Sequence, residues 1–252
     1  MVMMKLCQCL NHNTTKNKRY EVYLLKFVSF IERSFQMKVL VIGANGKVAR
    51  HFADFIKEDP SIEERAMIRS AEQASFFEER GIETVLLDLV NNSVAELAEA
   101  MKDVDAVIFS AGAGGSGLDK TVLIDLDGAI KAMTAAEQAG VNRFVMVSTF
   151  RTGREAMAQK QDLQIYTIAK NYADEWLKNR TKLDWTIVHP GILVDEPGTN
   201  QIKVGMGQEI NKIPRQDVAQ ALVSVLHNDN TIKQEFEVLA GNTAVEEAIS
   251  KL

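Results

Sequence analysis

An apolar strand that runs directly into a glycine-rich turn is the feature that most constrains this chain. The strand 39–42 is followed by Gly43-Ala44-Asn45-Gly46-Lys47-Val48-Ala49, and an amphipathic helical pattern begins immediately after it. The first glycine permits a tight turn, the second lets a ligand approach the backbone, and the small third residue lets the helix pack on the strand. Because a helix N-terminus attracts anions, the turn predicts a pyrophosphate site. The predicted contacts are Gly43, Asn45, Gly46, Lys47 and Val48.

Strand-length apolar runs alternate with helical patterns from residue 37 onward. Seven strands are predicted, at 38–42, 65–69, 82–87, 106–110, 143–148, 185–189 and 236–239. Capping boxes are predicted at Ser70 with Gln73 and at Ser93 with Glu96. This alternation is typical of an α/β protein with a doubly wound, mainly parallel sheet covered by helices on both faces. We therefore expect 37–252 to form a single Rossmann-type NAD(P)-binding domain of about seven strands, with a small C-terminal region on the substrate side.

The first 36 residues differ from the rest. They contain six Lys and Arg residues against two acids, and both cysteines of the chain, Cys7 and Cys9, lie there. The apolar stretch 22–31 is short and is broken by Lys26, so we do not expect it to span a bilayer. Because Met37 directly precedes the first predicted strand, we expect it to be the true translation start. A disordered extension over 1–36 is the alternative.

Composition excludes several classes of partner. The net charge is −5 with no basic stripe, so a nucleic-acid partner is not expected, and no membrane partner is expected either. With no cysteine beyond Cys9, a disulfide framework is excluded and a cytoplasmic location is expected. Cys7, Cys9 and His12 match no familiar zinc spacing, so no metal site is predicted. The sequence leaves the oligomeric state open.

The end of the second predicted strand bears on the choice of dinucleotide. An NAD site needs an acid there to accept the ribose 2′-hydroxyl, but this strand ends in Arg69 and Ser70. A guanidinium can hold a 2′-phosphate through two charge-assisted hydrogen bonds. We therefore expect NADP(H) to be preferred, with NAD(H) possible. Asp88 and Leu89, at the end of the third strand, are predicted to meet the adenine, although a turn cap is an alternative role for Asp88.

Dinucleotides bind outside the carboxyl ends of parallel strands, so the loops after the fourth and sixth strands complete the predicted cofactor site. They contribute Ala111, Gly112 and Pro190. The substrate pocket is expected from the loops 113–117, 150–163 and 192–207, whose composition shows no distinctive ligand pattern.

Three residues are candidates for catalysis. Tyr166 and Lys170 are four residues apart on a predicted helix, so both side chains lie on one face. Because a nearby cation lowers the pKa of a tyrosine, Tyr166 is predicted to be a general acid or base, with Lys170 also holding the nicotinamide ribose. Ser148, at the end of the fifth strand, is predicted to hydrogen-bond the same substrate oxygen. The alternative is a tyrosine that only packs on the cofactor or the core.

Six longer motifs extend along the chain. They are VLVIGANG at 39–46, IDLDGA at 124–129, AGVNRFVMVS at 139–148, YTIAKNYAD at 166–174, LDWTIVHPG at 183–191 and IPRQDVA at 213–219. Together they resemble the atypical short-chain dehydrogenases/reductases of the NAD(P)H-binding, NmrA-like group, and the resemblance covers essentially all of 37–252. Two departures stand out: His189 replaces the usual arginine before Pro190, and Asp125 or Asp127 stands near the position of a helix asparagine in classical members.

The resemblance implies a function class but no substrate, because the group contains reductases, epimerase-like enzymes and NADP-sensing proteins. We expect an NADP(H)-binding oxidoreductase that reduces a small carbonyl, quinone or flavin-like acceptor. The first alternative is a non-catalytic NADP(H) redox sensor. The second is a nucleotide-sugar epimerase-like enzyme, which is less favoured because only about 60 residues follow Pro190, little room for a substrate domain of the usual size.

Overall fold

The computed structural model of the protein describes residues 36–153 and 163–252. The expectations for the N-terminal extension, and for most of the predicted substrate loop 150–163, therefore lie outside the described residues. Residues 37–252 cluster as one unit by their contacts. Among the described helices, none is both long enough and apolar enough to cross a membrane.

Strands and helices alternate from the first described strand. The first part consists of β1 (Met37–Ile42), α1 (Lys47–Ile56), β2 (Ile62–Ile68), α2 (Ala74–Glu78), β3 (Glu83–Leu86), α3 (Val94–Ala100) and β4 (Ala106–Phe109). The middle part consists of α4 (Leu118–Lys120), a π-helical segment (Thr121–Gly128), α5 (Ala129–Ala139), β5 (Arg143–Val147), α6 (Gln164–Arg180) and β6 (Asp184–Pro190). The last part consists of β7 (Ile192–Val194), β8 (Gln201–Gly205), β9 (Lys212–Pro214), α7 (Arg215–His227), β10 (Gln234–Ala240), β11 (Thr243–Ala244) and α8 (Val245–Ser250).

The main sheet has the order β11-β8-β10-β6-β5-β4-β1-β2-β3. The seven strands from β10 to β3 pair in parallel, and they are the seven strands that the sequence predicts. The strand order reverses between β1 and β4, which is the switch point where parallel sheets of this kind open a crevice at their carboxyl ends. The Rossmann-type prediction is confirmed. The crevice at the switch point is where a dinucleotide site is expected.

The strand count needs a correction, because the main sheet has nine strands rather than about seven. β8 pairs antiparallel with β10 and β11 pairs antiparallel with β8, while β7 and β9 form a separate parallel pair. These four strands contain two to five residues each, too few for a periodic apolar pattern. Their pairing is decided by the neighbouring strand rather than by local propensity.

Two apolar layers cover the sheet, as its doubly wound topology requires. Alternate residues of β1 point to opposite layers: Val39 and Val41 join the layer packed on α1 and α7, whereas Leu40 and Ile42 join the layer packed on α3, α5 and α6. Phe52 of α1 is fully buried in the first layer. Burying a side chain of this size contributes roughly 1.5–3 kcal/mol, so the layers hold the strand ends in place.

The two predicted capping boxes have different outcomes. The box at the start of α3 is confirmed, with the Ser93 Oγ accepting from the Glu96 amide and the Glu96 carboxylate accepting from the Ser93 amide at 2.7 Å. The box at Ser70 is wrong. The chain forms a 3₁₀ turn there, and the Gln73 side chain instead accepts from the backbone amide of Arg69 at 3.1 Å.

Glu64 is a buried acid in the middle of β2. Since strand side chains alternate, it faces the same apolar layer as Ile62 and Ala66. Neither carboxyl oxygen has a hydrogen-bond partner among the described residues. Burial raises the pKa of Glu64 to about 8, because the charged form is disfavoured in an apolar layer.

This pKa predicts how stability depends on pH. The unfolded chain releases the Glu64 proton at its ordinary, lower pKa and the folded chain retains it, so the free energy of unfolding falls by about 1.4 kcal/mol per pH unit between about pH 5 and pH 8. Glu64→Gln should remove this slope and stabilise the protein at about pH 7.5, with little change near pH 5. Urea unfolding across this pH range measures it, with the exposed neighbour in Glu63→Gln as control. Equal slopes in wild type and Glu64→Gln would contradict the prediction.

Candidate functional site

The glycine-rich turn after β1 lies directly against the loop that follows β4. Gly43 has a φ of +82°, and a Cβ atom placed on it would lie 2.6 Å from the Cα of Ala111. The amide of Gly46 donates to the carbonyl oxygen of Gly43 at 2.9 Å, which closes the turn before α1 begins. Only glycine fits at position 43, since any side chain would both strain the backbone and collide with the neighbouring loop.

A cavity of about 410 Å³ opens at this turn, at the carboxyl ends of β1, β2, β3 and β4. Eight of the predicted cofactor residues line it: Gly43, Asn45, Gly46, Arg69, Asp88, Leu89, Ala111 and Gly112. Sequence reasoning missed other lining residues, including Ser110 and Lys120, and assigned Gln73 only to a capping box.

The side chain of Asn45 is held in place at the turn. Its Oδ1 accepts from the Nε and Nη2 atoms of Arg50 at 3.0 and 2.6 Å. The Arg50 guanidinium also lies over the ring of Phe76, 4.4 Å from its centroid, and such a cation–π contact is attractive. Arg50, a residue of α1, therefore stabilises the position of Asn45 in the turn. Sequence reasoning missed this supporting residue.

Arg69 and Asp88 stand at the ends of adjacent strands on the cavity wall. Arg69 is exposed, and its backbone amide is fixed by the Gln73 side chain. Asp88 acts as a turn cap, because its Oδ1 accepts from the amides of Val90 and Asn91 at 2.7 and 3.2 Å. The alternative role considered for Asp88 is therefore present in the structure, on a residue that also lines the cavity.

The remaining predicted cofactor residues do not line this cavity. Lys47 is exposed and forms an ion pair with Asp195 at 2.5 Å. Val48 packs in the apolar core, and Pro190 is buried at the end of β6. Ser70 lies beside Arg69 outside the lining, and Lys170 is also absent from it.

The three predicted catalytic residues lie at the carboxyl end of β5 and on α6, and each contacts a protein group. The Ser148 Oγ donates to the Oδ2 of Asp174 at 2.6 Å. The buried Lys170 ammonium donates to the carbonyl oxygen of Val147 at 2.9 Å. The Tyr166 phenol hydrogen-bonds the side chain of Thr149. Thr149 is thus a partner of Tyr166 that the sequence did not predict.

The expected lowering of the Tyr166 pKa is contradicted, because its pKa is raised instead. Burial raises the pKa of Tyr166 to about 12, and the negative charges of Asp125 and Asp174 add to this effect. Burial lowers the pKa of Lys170, and the charges of those two acids act to raise it. Tyr166 therefore keeps its proton at neutral pH in this structure.

Asp125, which resides in the π-helical segment, ties the loop after β4 to the Lys170 region. Its Oδ2 accepts from the amide of Ala113 at 2.9 Å, and a Cβ atom on Gly112 would lie 3.0 Å from its Oδ1. Burial raises the pKa of Asp125, while the ammonium of Lys170 acts to lower it. One carboxyl group thus couples the cavity wall to the predicted catalytic residues.

Within residues 36–153 and 163–252, no group of His, Cys, Asp and Glu side chains is arranged to hold a metal ion. The cavity does fit a dinucleotide, because the backbone of the glycine turn lines it and α1 begins directly after that turn, so the helix N-terminus lies at the cavity. The fold and the site together define a Rossmann-type dinucleotide-binding protein.

The chain belongs to the NAD(P)H-binding family, whose pattern matches residues 43–229. This confirms the predicted resemblance to the atypical short-chain dehydrogenases/reductases of the NmrA-like group. A Bacillus subtilis protein named uncharacterized sugar epimerase YhfK is 42% identical over 218 residues, covering 86% of this chain and 100% of the relative.

Two solved structures resemble this protein over most of its length. A protein from Bacillus halodurans, named for the NAD-dependent epimerases/dehydratases, has a TM-score of 0.79 and 39% identity, covering 86% of this chain and all of the other. The oxidoreductase ylbE from Lactococcus lactis has a TM-score of 0.75 and 30% identity, covering 86% and 96%. The protein is thus a member of an oxidoreductase- and epimerase-like family that binds NAD(P)H.

The close approach at Gly43 predicts a sharp mutational contrast. Gly43→Ala should weaken the binding of NADPH at least about tenfold, or about 1.4 kcal/mol, because the new methyl group pushes Ala111 away from the turn. Gly140→Ala is the matched control, since its φ is also positive at +76° but nothing lies within 4 Å of its Cβ position. The control should lower stability by about 1 kcal/mol and leave binding unchanged. Fluorescence titration and thermal unfolding measure both, and equal affinities in the two variants would contradict the account.

Proposed function

We propose that this protein is an NADP(H)-dependent oxidoreductase that reduces a small carbonyl, quinone or flavin-like acceptor. The observation that carries the proposal is the meeting of two features at one edge of the sheet. The cavity at the glycine turn lies at the ends of β1 to β4, and a proton-bearing phenol, Tyr166, lies beside the end of β5. Asp125 connects the two through the Ala113 amide and the charge of Lys170.

The preference for NADP(H) rests on the end of β2. An exposed guanidinium, Arg69, lies on the cavity wall there, and the structure places no carboxylate of β2 at that position. Glu64, the buried acid of this strand, faces the core. A free guanidinium favours a 2′-phosphate, whereas a 2′-hydroxyl is usually held by an acid.

The chemistry is divided between the cofactor and the protein. When bound, the reduced nicotinamide supplies a hydride to the acceptor. The acceptor oxygen then needs a proton, and the Tyr166 phenol holds one because its pKa is raised to about 12. The Thr149 side chain orients that phenol through its hydrogen bond.

Ser148 and Lys170 take supporting roles in this mechanism. Because the Ser148 hydroxyl donates a hydrogen bond to Asp174, its oxygen can still accept one, which suits the hydroxyl group of a reduced product. Lys170 offsets the charges of Asp125 and Asp174, and all three side chains are buried.

A non-catalytic NADP(H) sensor is the second candidate, and one observation favours it. Ser148 and Lys170 both direct their protons at protein groups, Asp174 and the Val147 carbonyl, rather than at the cavity. An epimerase-like enzyme is less favoured. Residues 191–252, all of which the structure describes, build the sheet edge and the helices that cover it rather than a separate substrate domain.

Arg69→Gln tests the choice of cofactor. We expect the dissociation constant for NADPH to rise about tenfold or more, which corresponds to the loss of a charge-assisted pair worth about 1.4 kcal/mol or more. The dissociation constant for NADH should stay within about twofold, so NADH serves as the internal control. Calorimetric titration measures both values. A parallel loss for the two cofactors would show that Arg69 does not contact the 2′-phosphate.

Tyr166→Phe separates the enzyme from the sensor. The variant should lose most turnover, a fall of about 10²–10⁴-fold for a missing general acid, while its affinity for NADPH stays close to that of wild type. Tyr172→Phe, at an exposed position on the same helix, is the control and should keep full turnover. NADPH oxidation with a panel of quinones, flavins and aldehydes provides the measurement. Unchanged turnover in Tyr166→Phe would show that the phenol is not the general acid.

A further inference from the structure

The ring of His189, near the end of β6, is buried between two hydrogen-bond acceptors. Its Nδ1 lies 2.7 Å from the carbonyl oxygen of Thr149, and its Nε2 lies 2.9 Å from the Oε1 of Glu235. A neutral imidazole has one N–H donor, whereas both partners here accept. Glu235 is ionised, because the His189 contact and the Lys178 ammonium hold its pKa near 2. Both contacts are made together only when His189 is an imidazolium.

The charged groups that act directly on this ring are Glu235 on β10 and Asp174 on α6. The surrounding charged groups act through other residues: Lys178 on α6 pairs with Glu235, Lys170 on α6 acts on Asp174, and Arg151 after β5 pairs with Glu237 on β10. Glu237, the register neighbour of His189, is balanced by the amide of Gln208 and by Arg151. Burial lowers the pKa of His189, but the hydrogen bond to Glu235 and the charge of Asp174 outweigh burial, so its pKa is raised.

This ring is linked to Tyr166 and Ser148, the two residues that the proposed function assigns to the substrate oxygen. Thr149 accepts from His189 through its carbonyl oxygen and hydrogen-bonds the Tyr166 phenol through its side chain. Burial raises the pKa of Asp174, the acid to which Ser148 donates, and the positive charge of His189 acts against that shift. Loss of this charge would favour the neutral acid form of Asp174 further, and that form can donate to Ser148 instead of accepting from it.

We propose that His189, as an imidazolium, is a positioning residue that holds Thr149 in place for Tyr166 and fixes the direction of the Ser148–Asp174 hydrogen bond. The inference rests on the proposed function, since it assigns Tyr166 and Ser148 to the substrate oxygen. It goes beyond that function by making turnover depend on a histidine that does not line the dinucleotide cavity. Because the two contacts need the protonated ring, kcat should be highest at low pH. It should fall as the pH rises through the raised pKa of His189.

Kinetics across pH test this role in the full chain. Wild-type kcat should fall about tenfold per pH unit above the pKa of His189. His189→Gln should lower kcat about tenfold or more near pH 6.5 and flatten the profile, with NADPH affinity within about twofold of wild type. His189→Arg, which keeps a fixed cation, should restore kcat and also lack the fall at high pH. His227→Gln, which removes the surface pair with Asp59, is the control.

Two results of the kinetic experiment overturn the inference. The first is a His189→Gln variant with the kcat and pH profile of wild type. The second is an equal loss of kcat in His189→Gln and His189→Arg, because a purely structural role would not be rescued by a cation.

A spectroscopic test works whether or not the protein turns over an acceptor. The chain has four histidines, and the His189 signals are those that disappear in His189→Gln. Nitrogen NMR should find both His189 ring nitrogens protonated near pH 7.5, and the ¹³C signal of Tyr166 Cζ should move in His189→Gln but not in His227→Gln. A neutral ring, or an unmoved Tyr166 signal, overturns the inference. Both expected signals without any turnover would refute the proposed function and support the coupling.

Discussion

The contact between Gly43 and the backbone of Ala111 sets the geometry of the site. A chain with any side chain at position 43 could not bring the β1–α1 turn this close to the loop after β4. The same loop is held from its other side, where the amide of Ala113 donates to Asp125 and the nearby Gly112 leaves room for that carboxyl group. Two contacts therefore fix the cavity wall: the close approach of Gly43 to Ala111 and the hydrogen bond from the Ala113 amide to Asp125. Both restraints lie at the switch point of the sheet, where the crevice opens.

A chain of compensating charges lies behind that wall. Buried charges are costly unless charges of opposite sign act on them. Here Asp125 and Asp174 act on Lys170, while His189 is paired with Glu235. The pairing leaves the Tyr166 phenol among negative charges, which keeps its proton on the oxygen. The same electrostatics thus keep Tyr166 protonated, as the proposed function requires of its proton donor.

The parallel sheet and the cofactor wall can be predicted from the sequence, because each depends on local patterns. Apolar runs mark the seven parallel strands, and the glycine turn and the strand ends mark most of the cavity lining. The antiparallel edge cannot be predicted in this way, since β8 and β11 take their conformation from their neighbours. The buried polar pairs cannot be predicted from local sequence patterns either, because Ser148 and Asp174 are 26 residues apart and His189 and Glu235 are 46 apart. A polar residue in an apolar strand indicates that a partner exists, but only the fold shows which one.

Transfer of deuterium from nicotinamide-labelled NADPH tests the central claim most directly. The wild-type protein is incubated with NADPH deuterated on either face of the nicotinamide C4, together with the acceptor panel, and the products are analysed by mass spectrometry. The account predicts that one acceptor gains deuterium from one face only, because the fixed cavity wall presents a single face of the cofactor. Tight binding of NADPH with no deuterium in any product would contradict an oxidoreductase and favour the sensor. Failure to bind NADPH at all would contradict the site itself.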